Sequence, residues 1–406
     1  MQFKINAGRF LEVVEPSVLV STKYCEREFS QINLISLNAT LDVLKIEGYG
    51  GYFAVQTTAS NDKIDNLGYA CTEEGIVTTD ADRLSQVLSS FDAYSLLNVN
   101  FAKNKLKISL EDDKTVFQTM VTSIQQVELP NIVSQGKNEI QCNRELFIKG
   151  IQKVNFAIGF EDSKPYYQCV AVQTDKNSCR FVAGSGSRFI AYNVSGKHIM
   201  TVPEKIELIF SKETALNIPA LLKNWTSDDV YIEKHEKTPY YISIKNDIHY
   251  VAVLKLDSSG NAYADIDSVI NIPREFSFTT EINDWAKALK GVSATYDEDM
   301  KRQAIIHNTI VRPDKHYCII ETDTPNSAHR KAKMTTINKD IPSFQCNTPF
   351  LNEVVKIATA GTEIEISINT PDNDKFKPVL IKFPQITQGD NNIVEDTTMF
   401  FVVNNV

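Results

Sequence analysis

Few side chains in this 406-residue chain are spaced for covalent or metal chemistry. The histidines are His198, His235, His249, His307, His316 and His329, and none falls in an HExxH pair or another metal-ligand spacing. The cysteines, Cys25, Cys71, Cys142, Cys169, Cys179, Cys318 and Cys346, are odd in number, widely spaced and without a CxxC. That usage fits reduced thiols acting as small buried hydrophobes, not a disulfide framework or a zinc site. Gly184-Ser185-Gly186-Ser187 superficially suggests a phosphate loop, but it lacks the Walker lysine and the third glycine of GxGxxG, and no G-x-S-x-G elbow is present there. No catalytic residue, cofactor or metal is expected.

The pattern that remains is cationic. Lys149 and Lys153 stand at i and i+4, with Arg144 a turn earlier, beside an apolar stripe of Phe147, Ile151, Val154 and Ile158. Lys287 and Lys290 accompany Trp285, Leu289 and Val292. Lys212 and Lys223 flank another apolar helix, Lys356 sits on a further one, and Arg9, Lys23 and Arg83 occupy the N-terminal region. Any single Lys or Arg on a helix is commonly a solvated face. The set reads better as a shared basic surface that meets phosphates, because the chain is otherwise acidic, with net charge −9.

Those cations ride on elements that recur three times. Phe3-Lys4-Ile5-Asn6, Glu139-Ile140-Gln141-Cys142-Asn143 and Phe276-Ser277-Phe278-Thr279-Thr280 each read as a short strand ending in a helix cap. The caps are Asn6, Asn143 and Thr280, equally spaced along the chain. A second helix follows in each copy, capped by Asp80, Ser211 or Asn347. The stripes are Leu84, Val87, Leu88 and Phe91; Ile218, Leu221, Leu222 and Trp225; and Leu351, Val354, Val355 and Ala358. Strand-forming runs come next: 97–101, 105–110 and 115–121; 230–234, 240–245 and 249–256; 363–369, 378–383 and 399–403. Leu129-Pro130-Asn131-Ile132 and Ile270-Asn271-Ile272-Pro273 read as linkers. The expected class is α+β, with domains at 1–132, 138–270 and 274–406. Pro16 and Pro219 fall where helix is expected, so those helices should kink or start later.

No stretch is long and apolar enough for a membrane span, and Met1-Gln2-Phe3-Lys4-Ile5-Asn6 lacks the apolar core of a signal peptide, so a cytoplasmic location is expected.

Along essentially its whole length the chain resembles the bacterial DNA polymerase III beta sliding clamp. The resemblance rests on Phe3-Lys4-Ile5-Asn6 with Arg9-Phe10-Leu11-Glu12, on Asn155-Phe156-Ala157-Ile158 with Glu161-Asp162-Ser163-Lys164-Pro165-Tyr166, and on Phe181-Val182-Ala183-Gly184-Ser185-Gly186-Ser187-Arg188-Phe189. It implies a DNA clamp fold: three repeated domains per chain, two chains head to tail, helices lining a ring and antiparallel sheets outside. It implies a processivity factor without catalytic residues or cofactor. Its partners would be double-stranded DNA, a polymerase catalytic subunit, a clamp loader, other proteins with clamp-binding motifs, and a second copy as homodimer. The implied peptide pocket is Tyr167, Gly184, Gly186, Ser187, Arg188, Phe189, Ala264, Val269, Pro378, Phe401 and Val403. The implied DNA-facing residues are Arg9, Lys23, Arg83, Arg144, Lys149, Lys153, Lys212, Lys223, Lys287, Lys290 and Lys356, and Phe117 aligns with the dimer interface.

The chain departs from the family where Gly184-Ser185-Gly186-Ser187-Arg188-Phe189 replaces Thr-Asp-Gly-His-Arg-Leu, and where Val403-Asn404-Asn405-Val406 replaces a Met-Pro ending. It therefore reads as a divergent member, with a clamp-like protein-interaction scaffold (a phage, plasmid or paralogous clamp) of altered partner specificity as the alternative. An enzyme is disfavoured by the missing motifs. An exported β-rich binding protein is disfavoured by the free thiols and the absent export signal.

Overall fold

The computed structural model describes residues 1–26, 33–110, 116–120, 139–159, 165–175, 178–196, 200–201, 206–234, 241–254, 263, 265–294, 308–322, 328–337, 341–369, 378–388, 393–401 and 404–405. The chain forms two compact units. The first comprises Met1–Lys149, Met200–Glu204 and Leu208–Asp257; the second comprises Gly150–Ile199, Lys205–Glu207 and Ser258–Val406.

Each expected opening is a strand running directly into a helix. Gln2–Asn6 leads into α1 (Ala7–Thr22), Glu139–Asn143 into α3 (Arg144–Val154), and Phe276–Glu281 into α6 (Ile282–Ser293). The second helices follow the same rule. Gly75–Asp80 leads into α2 (Ala81–Ser89), Ile206–Ser211 into α4 (Lys212–Leu222), and Phe344–Asn347 into α7 (Thr348–Ile357). A single helical turn, α5 (Asp267–Ile270), runs up to the first residue of the expected second linker. The first linker lies outside the described residues.

Four of the six caps form as expected. Asn6 accepts from the Arg9 amide at 3.0 Å, Asp80 from Arg83 at 2.8 Å, Asn143 from Leu146 at 3.1 Å and Ser211 from Thr214 at 3.4 Å. Thr280 does not cap. The strand continues to Glu281, and the Thr280 hydroxyl donates to the Lys333 carbonyl at 2.9 Å within the sheet. Asn347 sits at the cap position but makes no capping bond. Pro349, in the first turn, has no N–H to offer it. The prolines do not delay the helices: α1 runs through Pro16 and α4 through Pro219, with both rings buried. In α1, packing against strands Leu44–Tyr49 and Phe53–Ala59 compensates the lost hydrogen bond. Gly48 shows how close that approach is, since a Cβ there would lie 2.7 Å from the Ser17 carbonyl oxygen.

The stripes are buried nearly as read. Phe147, Ile151, Val154 and Ile158 are inside, as are Ile218, Leu221, Leu222 and Trp225, while Phe91 is only partly covered. In α7 the buried face is Thr348, Leu351, Val354 and Ile357. The helix stops at Ile357, so Ala358 is extended and leaves the stripe.

The first unit contains two antiparallel sheets among the described residues. One runs Ala70–Glu73, Gln2–Asn6, Leu96–Ala102, Lys105–Leu110, Val116–Met120. The other has nine strands and joins distant chain segments, because His249–Leu254 pairs with Phe53–Ala59. Directly across that ladder, His249 Nδ1 lies 3.0 Å from the Thr57 hydroxyl, and its ring stacks on Trp225 at 5.0 Å. The second unit carries a longer sheet in which Cys169–Asp175, Ser178–Ser185, Arg188–Ser195, Ile393–Phe401, Val379–Lys382, Glu363–Ile368 and Phe276–Glu281 are successive neighbours.

Burial pushes the His249 pKa down to about 4, from 6.5. Between those values the unfolded chain binds the extra proton. This residue's contribution is therefore complete above pH 6.5 and is lost as pH falls towards 4, by on the order of 3 kcal/mol. Urea unfolding of the first unit at pH 7 and pH 4.5 should show a smaller acid loss for His249→Gln than for the parent. Equal losses would remove His249 as the cause.

Candidate nucleic-acid interface and aromatic cluster

The candidate DNA-facing cations fall into two groups by exposure. Lys23, Arg83, Lys223, Lys287, Lys290 and Lys356 are exposed. Arg9, Arg144, Lys149, Lys153 and Lys212 are half-buried. The helices are unequal. α3 sets Arg144, Lys149 and Lys153 against Glu145, and α6 sets Lys287 and Lys290 against Asp284, whereas α1 holds Arg9 with Glu12 and Glu15. Arg9 Nη1 bonds Glu12 Oε2 at 2.7 Å. Lys153 donates to the Ile357 carbonyl at 3.1 Å, capping the C-terminal end of α7. Exposed ammonium groups on flexible stems can follow a moving phosphate; Lys153 is also committed to the fold.

The candidate peptide-site residues of the second unit are brought together by strand register. Arg188 lies opposite Phe401, which lies opposite Val379, and Phe189 lies opposite Phe400. Phe189 stacks on Phe400 at 5.1 Å, and Tyr167 meets Phe189 edge-on at 5.4 Å. Gly186 and Ser187 form the exposed hairpin turn between Ser178–Ser185 and Arg188–Ser195. Gly184 is required by close approach: a Cβ there would lie 2.2 Å from the Phe189 ring. Val269 and Pro378 share one partner, Arg274, whose Nη2 donates to their carbonyls at 3.2 and 3.1 Å. Ala264 and Val403 lie outside the described residues, as does the side chain of Phe117, which stands in strand Val116–Met120.

Sequence reasoning missed Phe156, Arg274, Phe350, Glu353 and Phe400. Phe350 and Glu353 face Arg188 from one turn of α7. Arg188 Nη1 bonds Glu353 Oε1 at 2.5 Å, Arg188 Nη2 donates to the Phe156 carbonyl at 3.0 Å, and the guanidinium lies 4.9 Å from the Phe350 ring centre. Only Phe400, adjacent to the chosen Phe401, carried a signal in the sequence.

The thiols fit a structural role. No cysteine forms a disulfide, and burial pushes Cys142, Cys169, Cys318 and Cys346 up, away from thiolate chemistry. Among the described residues no cluster of His, Cys, Asp or Glu could hold a metal, and no helix is long and apolar enough to cross a membrane.

No family model and no curated protein matches the sequence. Solved structures match over the whole length of both chains. A DNA polymerase sliding clamp from Bacillus subtilis aligns with TM-score 0.79 at 14% identity, covering 100% of each chain. One from Caulobacter crescentus gives 0.78 at 15%, and a DNA polymerase III beta chain from Streptococcus pneumoniae 0.78 at 13%, each with the same full coverage. The chain has the sliding-clamp fold. Sequence identity this low with shape this similar means that the clamp fold is specified here mostly by different side chains.

Gly184→Ala should force Phe189 off its stacked position and cost about 1–3 kcal/mol of stability in the second unit. Thermal unfolding checks this; an unchanged transition would show that the turn has room.

Proposed function

We propose that the protein is a DNA polymerase processivity factor: a ring-forming sliding clamp that encircles duplex DNA without reading its sequence and tethers replication proteins. The observation that carries this reading is the full-length likeness to sliding clamps, with both chains covered end to end. Function follows from it because such a fold offers topology where an enzyme would need a reactive centre. The role requires no catalytic residue and no cofactor.

The three-domain division at 1–132, 138–270 and 274–406 is part of this proposal. The recurrence of strand–helix openings at α1, α3 and α6, and again at α2, α4 and α7, supports it. Lys23, Arg83, Lys149, Lys212, Lys223, Lys287, Lys290 and Lys356 are proposed as loose phosphate contacts, with Arg9, Arg144 and Lys153 adding charge nearer the helix bodies. Phosphate contacts position without specifying sequence, so they can be exchanged as the ring moves. The acidic remainder of the chain would discourage DNA from binding elsewhere.

Closure needs a second copy, joined head to tail. One strand edge suits this: Val116–Met120 ends its sheet among the described residues and can pair with another copy. Phe117 would lie in that interface. The surface beside the buried Phe189–Phe400 stack, with the exposed Gly186–Ser187 turn, would take short peptides of the polymerase, the clamp loader and other clamp-binding proteins, in a cytoplasmic setting.

Two measurements test the proposal. The solution mass should be about twice the 45.7 kDa of one chain, and a stable monomer would contradict closure. Reversing Lys149, Lys287, Lys290 and Lys356 to Glu should abolish stimulation of processive synthesis while leaving the dimer intact. Unchanged stimulation would leave only a protein-binding scaffold.

A further inference from the structure

Lys153, Tyr192 and Glu395 converge on one small recess of the second unit, bounded by the end of α3, the end of α7 and one face of the sheet. Strand register puts the sheet residues there. Tyr192 lies opposite Thr397, and Glu395 lies opposite Val194. Side chains alternate along a strand, so Tyr192, Thr397 and Glu395 share a face. Asn193 and Asp396 take the other face, where they bond each other at 2.7 Å. Lys153 enters from α3 through its bond to the Ile357 carbonyl.

The Tyr192 hydroxyl is the group that these neighbours leave unserved. Only 1% of Tyr192 and 3% of Glu395 is exposed. Burial first, and then Glu395, push the Tyr192 pKa up, so the hydroxyl keeps its proton and is a donor. Glu395 is near enough to act on it but does not meet it in hydrogen-bond geometry, and the hydroxyl is buried without a direct partner. A buried donor without an acceptor is costly.

The recess that Tyr192 lines measures about 30 Å³. That is room for one or two water molecules and for no larger solute. Charge narrows the choice further. The Lys153 ammonium repels a metal cation, and the Glu395 carboxylate repels an anion. A small neutral molecule that both donates and accepts suits the set. We propose that the recess is a hydration site, in which one ordered water accepts from the Tyr192 hydroxyl and donates to the Glu395 carboxylate beside the Lys153 ammonium. The water thereby ties the sheet to the place where α3 caps α7. Thr359 and Ile386, at its rim, are exposed, so the water can exchange with solvent while the unit stays folded. This inference is independent of DNA and peptide binding.

Tyr192→Phe, which removes the hydroxyl and leaves the ring, tests the proposal by the sign of its effect. Losing a hydroxyl that holds an ordered water should lower the thermal unfolding midpoint of the second unit by about 2–4 °C. Losing one that has no partner would leave the midpoint unchanged or raise it, and either result would overturn the proposal. A crystal structure of the full-length parent, at a resolution that shows waters, decides the same point without a variant. Density within hydrogen-bond distance of both Tyr192 Oη and the Glu395 carboxylate is expected, and it should vanish in Tyr192→Phe. A direct Tyr192–Glu395 bond, or a recess without density, would overturn the proposal whatever the midpoint.

Discussion

Backbone pairing between strands far apart in the chain is the constraint from which the rest follows. Arg188–Ser195 meets Val394–Phe401 residue for residue, and His249–Val253 meets Phe53–Thr57. A slip of one residue in either ladder would turn every side chain to the opposite face. Register therefore decides that Phe189 stacks on Phe400 and that His249 faces Thr57. Both contacts lie where a buried polar or aromatic group would be costly if misplaced. The same ladders bind separate stretches of chain into continuous sheets, so a unit cannot lose one segment without exposing a long unpaired edge.

Once the sheets are set, the helices have little freedom. Apart from the single turn α5, each helix among the described residues follows a strand with no intervening loop, so its buried stripe is aimed by the strand before it. Lysines and arginines then fall on what the stripe leaves uncovered. This explains how an acidic chain can present cations on particular helix faces. It also explains the inequality among helices: Arg9 and Lys153 spend their donors on Glu12 and on the end of α7, whereas Lys287, Lys290 and Lys356 remain in water.

Much of this was legible in the residues. The repeated strand–helix openings and the stripes of α2, α3, α4 and α6 follow from periodicity and capping chemistry, both of which are local. The misses were tertiary. Thr280 had the composition of a cap but was claimed by the sheet through Lys333. Pro16 and Pro219 did not delay their helices, and in α1 packing against the sheet outweighs one lost hydrogen bond. The α7 stripe moved because the helix ends at Ile357, which its alternating residues do not announce. In the aromatic cluster, the resemblance named Arg188 and Phe189 but could not name Glu353 or Phe350. Their relation to Arg188 spans more than 160 residues and leaves no periodic trace.

If the chain works as a clamp, its grip is topological: weak, exchangeable phosphate contacts centre the duplex, while retention comes from closure. The most direct measurement compares release from nicked circular DNA before and after a single cut that linearises the circle. Long residence on the circle and prompt loss from the free ends is the predicted result. Equal release from both substrates would contradict the account.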